Sequence, residues 1–153
     1  MTENKPPQYK PLRVMNCEEI LTVIPHRYPF LMVDKVEIVE ENKYCVATKC
    51  VSANELYFHG HFPTRPILPG VLMLEGMAQA AAAMMLSIPQ NKGHFAYVAG
   101  INNAKFRRLV VPGDVLKSHV EILRFKGRIC KLRGMAYVGD ELAAEADFIG
   151  SLD

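Results

Sequence analysis

The chain has 153 residues, half of them hydrophobic, with 18 basic against 16 acidic side chains. That length fits one domain with a genuine core, and a net charge of +2 gives no global case for a nucleic-acid partner. The longest apolar run, Met77 to Leu86, is interrupted by Gln79 and falls far short of the ~20 residues a bilayer span needs, so no membrane insertion is expected.

The first segment, MTENKPPQYKPLRV, has no apolar run of signal-peptide type. Its prolines and charges predict a flexible tail over residues 1–15, ahead of a single domain over 16–153. A soluble cytoplasmic protein is expected. Cys17, Cys45, Cys50 and Cys130 contain no CxxC pair, and Cys45 and Cys50 would face opposite ways on one strand. Reduced, structural cysteines follow.

Asn16-Cys-Glu-Glu19 reads as a capping box, so a short helix is predicted over about 16–23, stopped by Pro25. Pro25 and Pro29 frame a turn carrying His26, Arg27 and Tyr28. Phe30 to Glu40 reads as a strand, Glu41-Asn42 as a turn, and Lys43 to Ser52 as the returning strand. Asn54 to Pro69 is a loop crowded with aromatics, histidines and prolines. Gly70 to Leu86 then reads as a helix apolar on every side, in which Glu75 is the only ionisable residue. Pro89 to Gly93 breaks it.

Further strands are predicted at His94 to Asn102, extended or followed by Phe106 to Val111, at Val115 to Phe125 and at Arg128 to Val138. The last, Glu141 to Leu152, holds alanines that favour helix. Its alternation of Leu142, Ala144, Ala146 and Phe148 with Glu141, Glu145 and Asp147, after a Gly139-Asp140 hairpin turn, decides for strand. The class is therefore α+β: one long buried helix wrapped by a curved antiparallel sheet, with a second subunit closing what the sheet leaves open.

The chemistry concentrates between Asn54 and Leu86. His61 titrates near neutral pH and can move a proton; a loop histidine satisfied by hydrogen bonds is the plain alternative. Pro63, Pro66 and Pro69 stiffen its loop, and Gly60 and Gly70 allow close backbone approach, which suits a preorganised site. Phe62 flanks the histidine. Glu75 sits in apolar surroundings that favour a protonated carboxyl, with Gln79 one turn on as its hydrogen-bond neighbour. Gly70 and Val71 offer free N–H groups and the positive end of the helix dipole to a carbonyl oxygen.

Base, acid and oxyanion donor permit α,β-elimination of water from a 3-hydroxy carbonyl compound without selecting it. His59-x-His61 on one strand face with Glu75 would be a possible metal set, but no further ligand is evident and no metal is expected. No phosphate-binding glycine loop and no G-x-S-x-G elbow occurs.

Three strings, PHRYPFLMVD (25–34), NELYFHGHFPTRPILPGVLMLEGMAQ (54–79) and YVAGINNAKFRRLVVPGD (97–114), occur in order. With them the chain resembles, from about Glu18 to Phe148, the 3-hydroxyacyl-acyl carrier protein dehydratases of type II fatty acid synthesis. The resemblance implies a hot-dog fold, dimers assembled as a trimer of dimers (a homohexamer), and no cofactor. It implies dehydration of a (3R)-3-hydroxyacyl thioester on acyl carrier protein to the trans-2-enoyl product.

Carried onto these motifs, it makes His61 and Glu75 the catalytic pair, contributed to one site by different subunits, with the Gly70 N–H on the thioester carbonyl. Val71, Gln79 and Phe62 are the expected substrate contacts, and Tyr97 falls where some members have an aromatic gate. Leu56, Tyr57, Gly76 and Ile24 stand where Pro, Phe, Ala and Leu are common in the family. Nine basic residues against two acids between Lys105 and Arg133 suggest a docking surface for an acidic carrier protein, with Arg107, Arg108 and Lys126 as candidates. A hot-dog thioesterase and a non-catalytic carrier-binding protein are the alternatives.

Overall fold

The computed structural model describes residues 5–153. In chain order the elements are β1 (Arg13–Met15), α1 (Cys17–Val23), β2 (Lys35–Glu40), β3 (Tyr44–Cys50), a 3₁₀ turn at Leu56–His59, α2 (Gly70–Leu86), a second at Pro89–Asn91, β4 (Ala96–Phe106), β5 (Val115–Lys126), β6 (Ile129–Val138) and β7 (Glu141–Leu152). The strands form one antiparallel sheet in the order β1-β2-β3-β5-β6-β7-β4, open at both edges.

Helix α2 packs against every strand except β1. Neighbouring strands lie about 4.8 Å apart, so six laid flat would span about 24 Å. A helix is only ~10 Å wide. Contact with all six requires the sheet to curl around α2, and this is the hot-dog arrangement. Twelve of the 17 residues of α2 are buried, as its all-apolar sequence demands. Close approach depends on Gly134 of β6, where an added Cβ would lie 2.5 Å from Met77 Sδ.

The capping box forms as predicted. Asn16 Oδ1 accepts from the Glu19 N–H at 2.9 Å, and Glu19 Oε2 accepts from the Asn16 N–H at 2.8 Å. The choice of strand for the last segment also holds: Ala144, Ala146 and Phe148 join the core, while Leu142, beyond a register shift, pairs with Tyr137 outside it.

Three expectations are corrected. Phe30 to Asp34 is a loop, because the Gln79 side chain takes the Phe30 carbonyl and the Met32 N–H that a ladder would have used. Residues 107–111 leave the sheet. The Arg107 N–H still donates to Ala143 O, and the Val110 carbonyl accepts from Leu68. The expected flexible tail contains a strand: Arg13–Met15 pairs with β2, and the Leu12 N–H donates to Ile38 O at 2.7 Å. Upstream, Tyr9 donates its hydroxyl to Glu37 at 2.7 Å and sets its ring against His119 on the outer face of the sheet. Residues 1–4 of that tail lie outside the described residues.

All four cysteines are free, and burial pushes the Cys45 thiol up to about 12 and the Cys130 thiol up to about 11. Neither is a thiolate at neutral pH. No helix among the described residues is long and apolar enough to cross a membrane.

Candidate active site

The loop before α2 is held by its own backbone. The His61 N–H donates to Tyr57 O at 3.0 Å, Phe62 and Arg65 exchange a pair of hydrogen bonds at 3.0 Å, and the Ile67 N–H returns to His61 O at 3.0 Å. Lys49 of β3 pairs with Glu55 at the loop's entry. The consequence for His61 is chemical. Its Nδ1 lies 2.7 Å from the Ile67 carbonyl oxygen. A carbonyl only accepts, so Nδ1 carries a proton, and in the neutral ring Nε2 keeps its lone pair. The ring is half-buried and stacks on Phe62 at 4.1 Å. His59 closes the 3₁₀ turn, so His59 and His61 do not share a strand face.

Helix α2 starts without a side-chain cap. Its first N–H groups, Gly70 and Val71, have no intrahelical acceptor by the geometry of a helix start. Gly70 lies under the Phe106 ring, with ring carbons 2.8 Å from where a Cβ would be. The Val71 side chain is exposed.

Glu75 is not sealed in the core; its side chain is 23% exposed. Gln79, one turn later, is 1% exposed. The Gln79 amide nitrogen donates to Glu75 Oε1 at 2.9 Å and to Phe30 O at 2.7 Å, while its oxygen accepts from the Met32 N–H at 2.7 Å. The amide therefore has one possible orientation, and it ties the carboxyl to the loop before β2. Oε1 is occupied; Oε2 has no protein partner among the described residues.

Glu75 and Gln79 border a cavity of about 230 Å³ whose walls include Ala78, Ala81 and Ala82 of α2, with Tyr97 and Phe148 from the sheet. The structure thus gathers Glu75, Gln79 and Tyr97 on one cavity. His61, Phe62, Gly70 and Val71 are not on it, and neither a hydrogen bond nor an ion pair joins His61 to Glu75 within the chain. One cavity residue within reach of the Glu75 carboxyl was not named as a site residue from the sequence. His26 places Nε2 3.7 Å from Glu75 Oε1. Its only sequence signal was its position in the proline-framed turn of the first motif.

Among known proteins, the family model described as a FabA-like domain matches residues 24–147. The 3-hydroxyacyl-[acyl-carrier-protein] dehydratase FabZ of Pelotomaculum thermopropionicum is 51% identical over 136 residues, 89% of this chain and 97% of the relative. That of Moorella thermoacetica is 49% identical over 135 residues, 88% and 94% of the two chains. The solved dehydratase heterocomplex ApeI:P from Xenorhabdus doucetiae shares the fold, with a TM-score of 0.73 over 95% of this chain and 93% of that one at 16% identity. The chain belongs to the FabA-like family and, within it, to the 3-hydroxyacyl-[acyl-carrier-protein] dehydratases.

Proposed function

We propose that this chain removes water from a 3-hydroxyacyl thioester carried on acyl carrier protein, in fatty acid biosynthesis, by acid–base elimination between His61 and Glu75. The observation that carries the mechanism is the 2.7 Å contact of His61 Nδ1 with Ile67 O, which in the neutral ring holds Nδ1–H and leaves Nε2 as the base. Nε2 takes a C2 proton acidified by the thioester. The C2 electron pair becomes the C2–C3 double bond and the C3–O bond breaks. Oε2 of protonated Glu75 gives its proton to the departing hydroxyl, which leaves as water. The N–H of Gly70 and the α2 dipole hold the thioester oxygen as negative charge builds there. The acyl chain lies in the alanine-walled cavity.

The separation of His61 from Glu75 in one chain supports a site shared by two copies. The outer edge of β4 supports the same reading, since it exposes Tyr97, Val98, Ile101 and Phe106 along a strand with no neighbour on that side. Three such dimers make the full assembly. Either His61→Ala or Glu75→Ala lowers kcat by at least about 100-fold, the scale of a lost general acid or base. Enoyl absorbance reads this, and near-normal turnover by either folded variant would end the proposal. Mixed His61→Ala and Glu75→Ala subunits regain activity, because some of the hybrid sites keep both groups; no gain after verified mixing would rule out the shared site.

Carrier docking moves to one end of the sheet. Arg108 is held by Asp114 at 2.8 Å and Glu141 at 3.2 Å, and Arg107 by Glu145 at 3.3 Å. Around the β5–β6 hairpin, Arg124, Lys126 and Lys131 have no acidic partner among the described residues. An acidic carrier protein docks on that patch. Lys126→Glu raises KM for the carrier-bound substrate and leaves KM for a small thioester unchanged; equal effects on both would place docking elsewhere.

A further inference from the structure

Two histidines stand near this chemistry in opposite electronic states. His61 has its Nδ1 proton fixed by a carbonyl. His26 has a buried Nδ1 with no hydrogen-bond partner among the described residues. A buried N–H with nothing to bind is costly, because it forfeits its hydrogen bond to water. The neutral His26 ring therefore carries its proton on Nε2, the nitrogen that lies 3.7 Å from Glu75 Oε1. His61 faces its substrate as an acceptor, and His26 faces the carboxyl as a donor.

The ring is also well held. It is 22% exposed and stacks on Phe30 with centroids 6.3 Å apart and planes 14° from parallel. The Phe30 carbonyl is bound by the same Gln79 nitrogen that donates to Glu75. One amide thus sets both the carboxyl and the loop that presents the imidazole. Among the described residues of the chain, no other charged group lines the cavity at this contact. Arg27, next in the chain, turns its guanidinium to the carbonyls of Leu21, Ile24 and His26. Helix α2 offers only Glu75 and Gln79 here, and the cavity wall opposite is formed by neutral side chains such as Tyr97 and Phe148.

We propose that His26 is a positioning residue for Glu75: its Nε2–H closes on Oε1 as Oε2 releases its proton to the departing hydroxyl, so the ring shares the charge left on the carboxylate. His26 neither gains nor loses a proton in the step. A contact of this length in the resting enzyme is one that tightens as charge develops. The inference rests on Glu75 being the acid, as proposed above.

His26→Phe keeps the stack on Phe30 and removes the donor. It lowers kcat about tenfold, the worth of a hydrogen bond to a charged group, with KM little changed. The limb of the kcat–pH profile that reports Glu75 moves to higher pH, because the carboxylate has lost a partner. His26→Gln, whose amide nitrogen reaches the Nε2 position, recovers most of both; His26→Asn, which mimics Nδ1, does not. A folded His26→Phe with the wild-type kcat and pH profile overturns the inference, provided Glu75→Ala is inactive in the same assay; an active Glu75→Ala overturns the underlying reading instead. Should His26→Phe fail to fold, ring-nitrogen NMR of the wild-type protein still decides. The Nε2–H form of His26 beside the Nδ1–H form of His61 supports the proposal, and an Nδ1–H form of His26 refutes it.

Discussion

At the scale of single residues, the side chains around Glu75 are tightly interdependent. Gln79 spends its whole amide on Glu75, Phe30 and Met32. Gln79→Leu strands a carbonyl and an N–H of the loop before β2, at about 2 kcal/mol or more. A Tm drop of several degrees, together with a loss of kcat, is the expected result in thermal melts and turnover assays. Gly70→Ala presses a methyl against the Phe106 ring. The contact is with the far end of a side chain, which can rotate away, so the variant folds but shifts the first N–H of α2. Activity falls at least tenfold with Tm nearly unchanged, a split that separates a displaced donor from a broken fold. Sequence spacing was enough to pair Glu75 with Gln79, since they are one helical turn apart. It was silent on His26 and Phe30, which reach α2 from about 50 positions away.

At the scale of elements, period and punctuation identified α1, α2 and the long strands of the sheet. They failed where side chains took over backbone hydrogen bonding, as in the loop at residues 30–34, and where a short segment joined an edge, as β1 does. The segment before β1 brings its own titration. His119 lies on the outer face of β5, its Nδ1 2.5 Å from the Tyr44 hydroxyl, with the rings of Tyr9 and Tyr137 against it and Lys117 and Glu37 nearby. Burial first, and Lys117 second, push this imidazole down to about 4. An unfolded histidine titrates at about 6.5. Between those values the unfolded chain binds a proton that the folded chain refuses. This contribution is intact above about pH 6.5 and is lost as pH falls toward 4, at most on the order of 3 kcal/mol in all. His119→Asn keeps an acceptor for Tyr44 and cannot titrate. Its Tm therefore declines less than the wild-type Tm between pH 6.5 and 4.5, and parallel curves would assign the acid sensitivity to other groups.

At the scale of the molecule, both edges of the sheet are open, and the β4 edge carries the larger apolar run. Ile101→Lys puts a cation on that edge. On the shared-site proposal, the expected product is a folded monomer by light scattering that has lost dehydration, because His61 and Glu75 would no longer meet. A monomer with full activity would separate assembly from catalysis. The remaining feature is the run of alanines in α2. Ala78, Ala81 and Ala82 face the cavity, and an alanine contributes a wall with almost no thickness. The hollow beside Glu75 is in effect the volume that larger side chains would have filled. On the proposal that the acyl chain lies in this cavity, part of the wall that limits its length is this helix face, beside Glu75 itself. Ala82→Phe would act as a stop. Long 3-hydroxyacyl substrates would lose kcat/KM steeply while short ones kept theirs, and a uniform loss across lengths would show that the chain runs elsewhere.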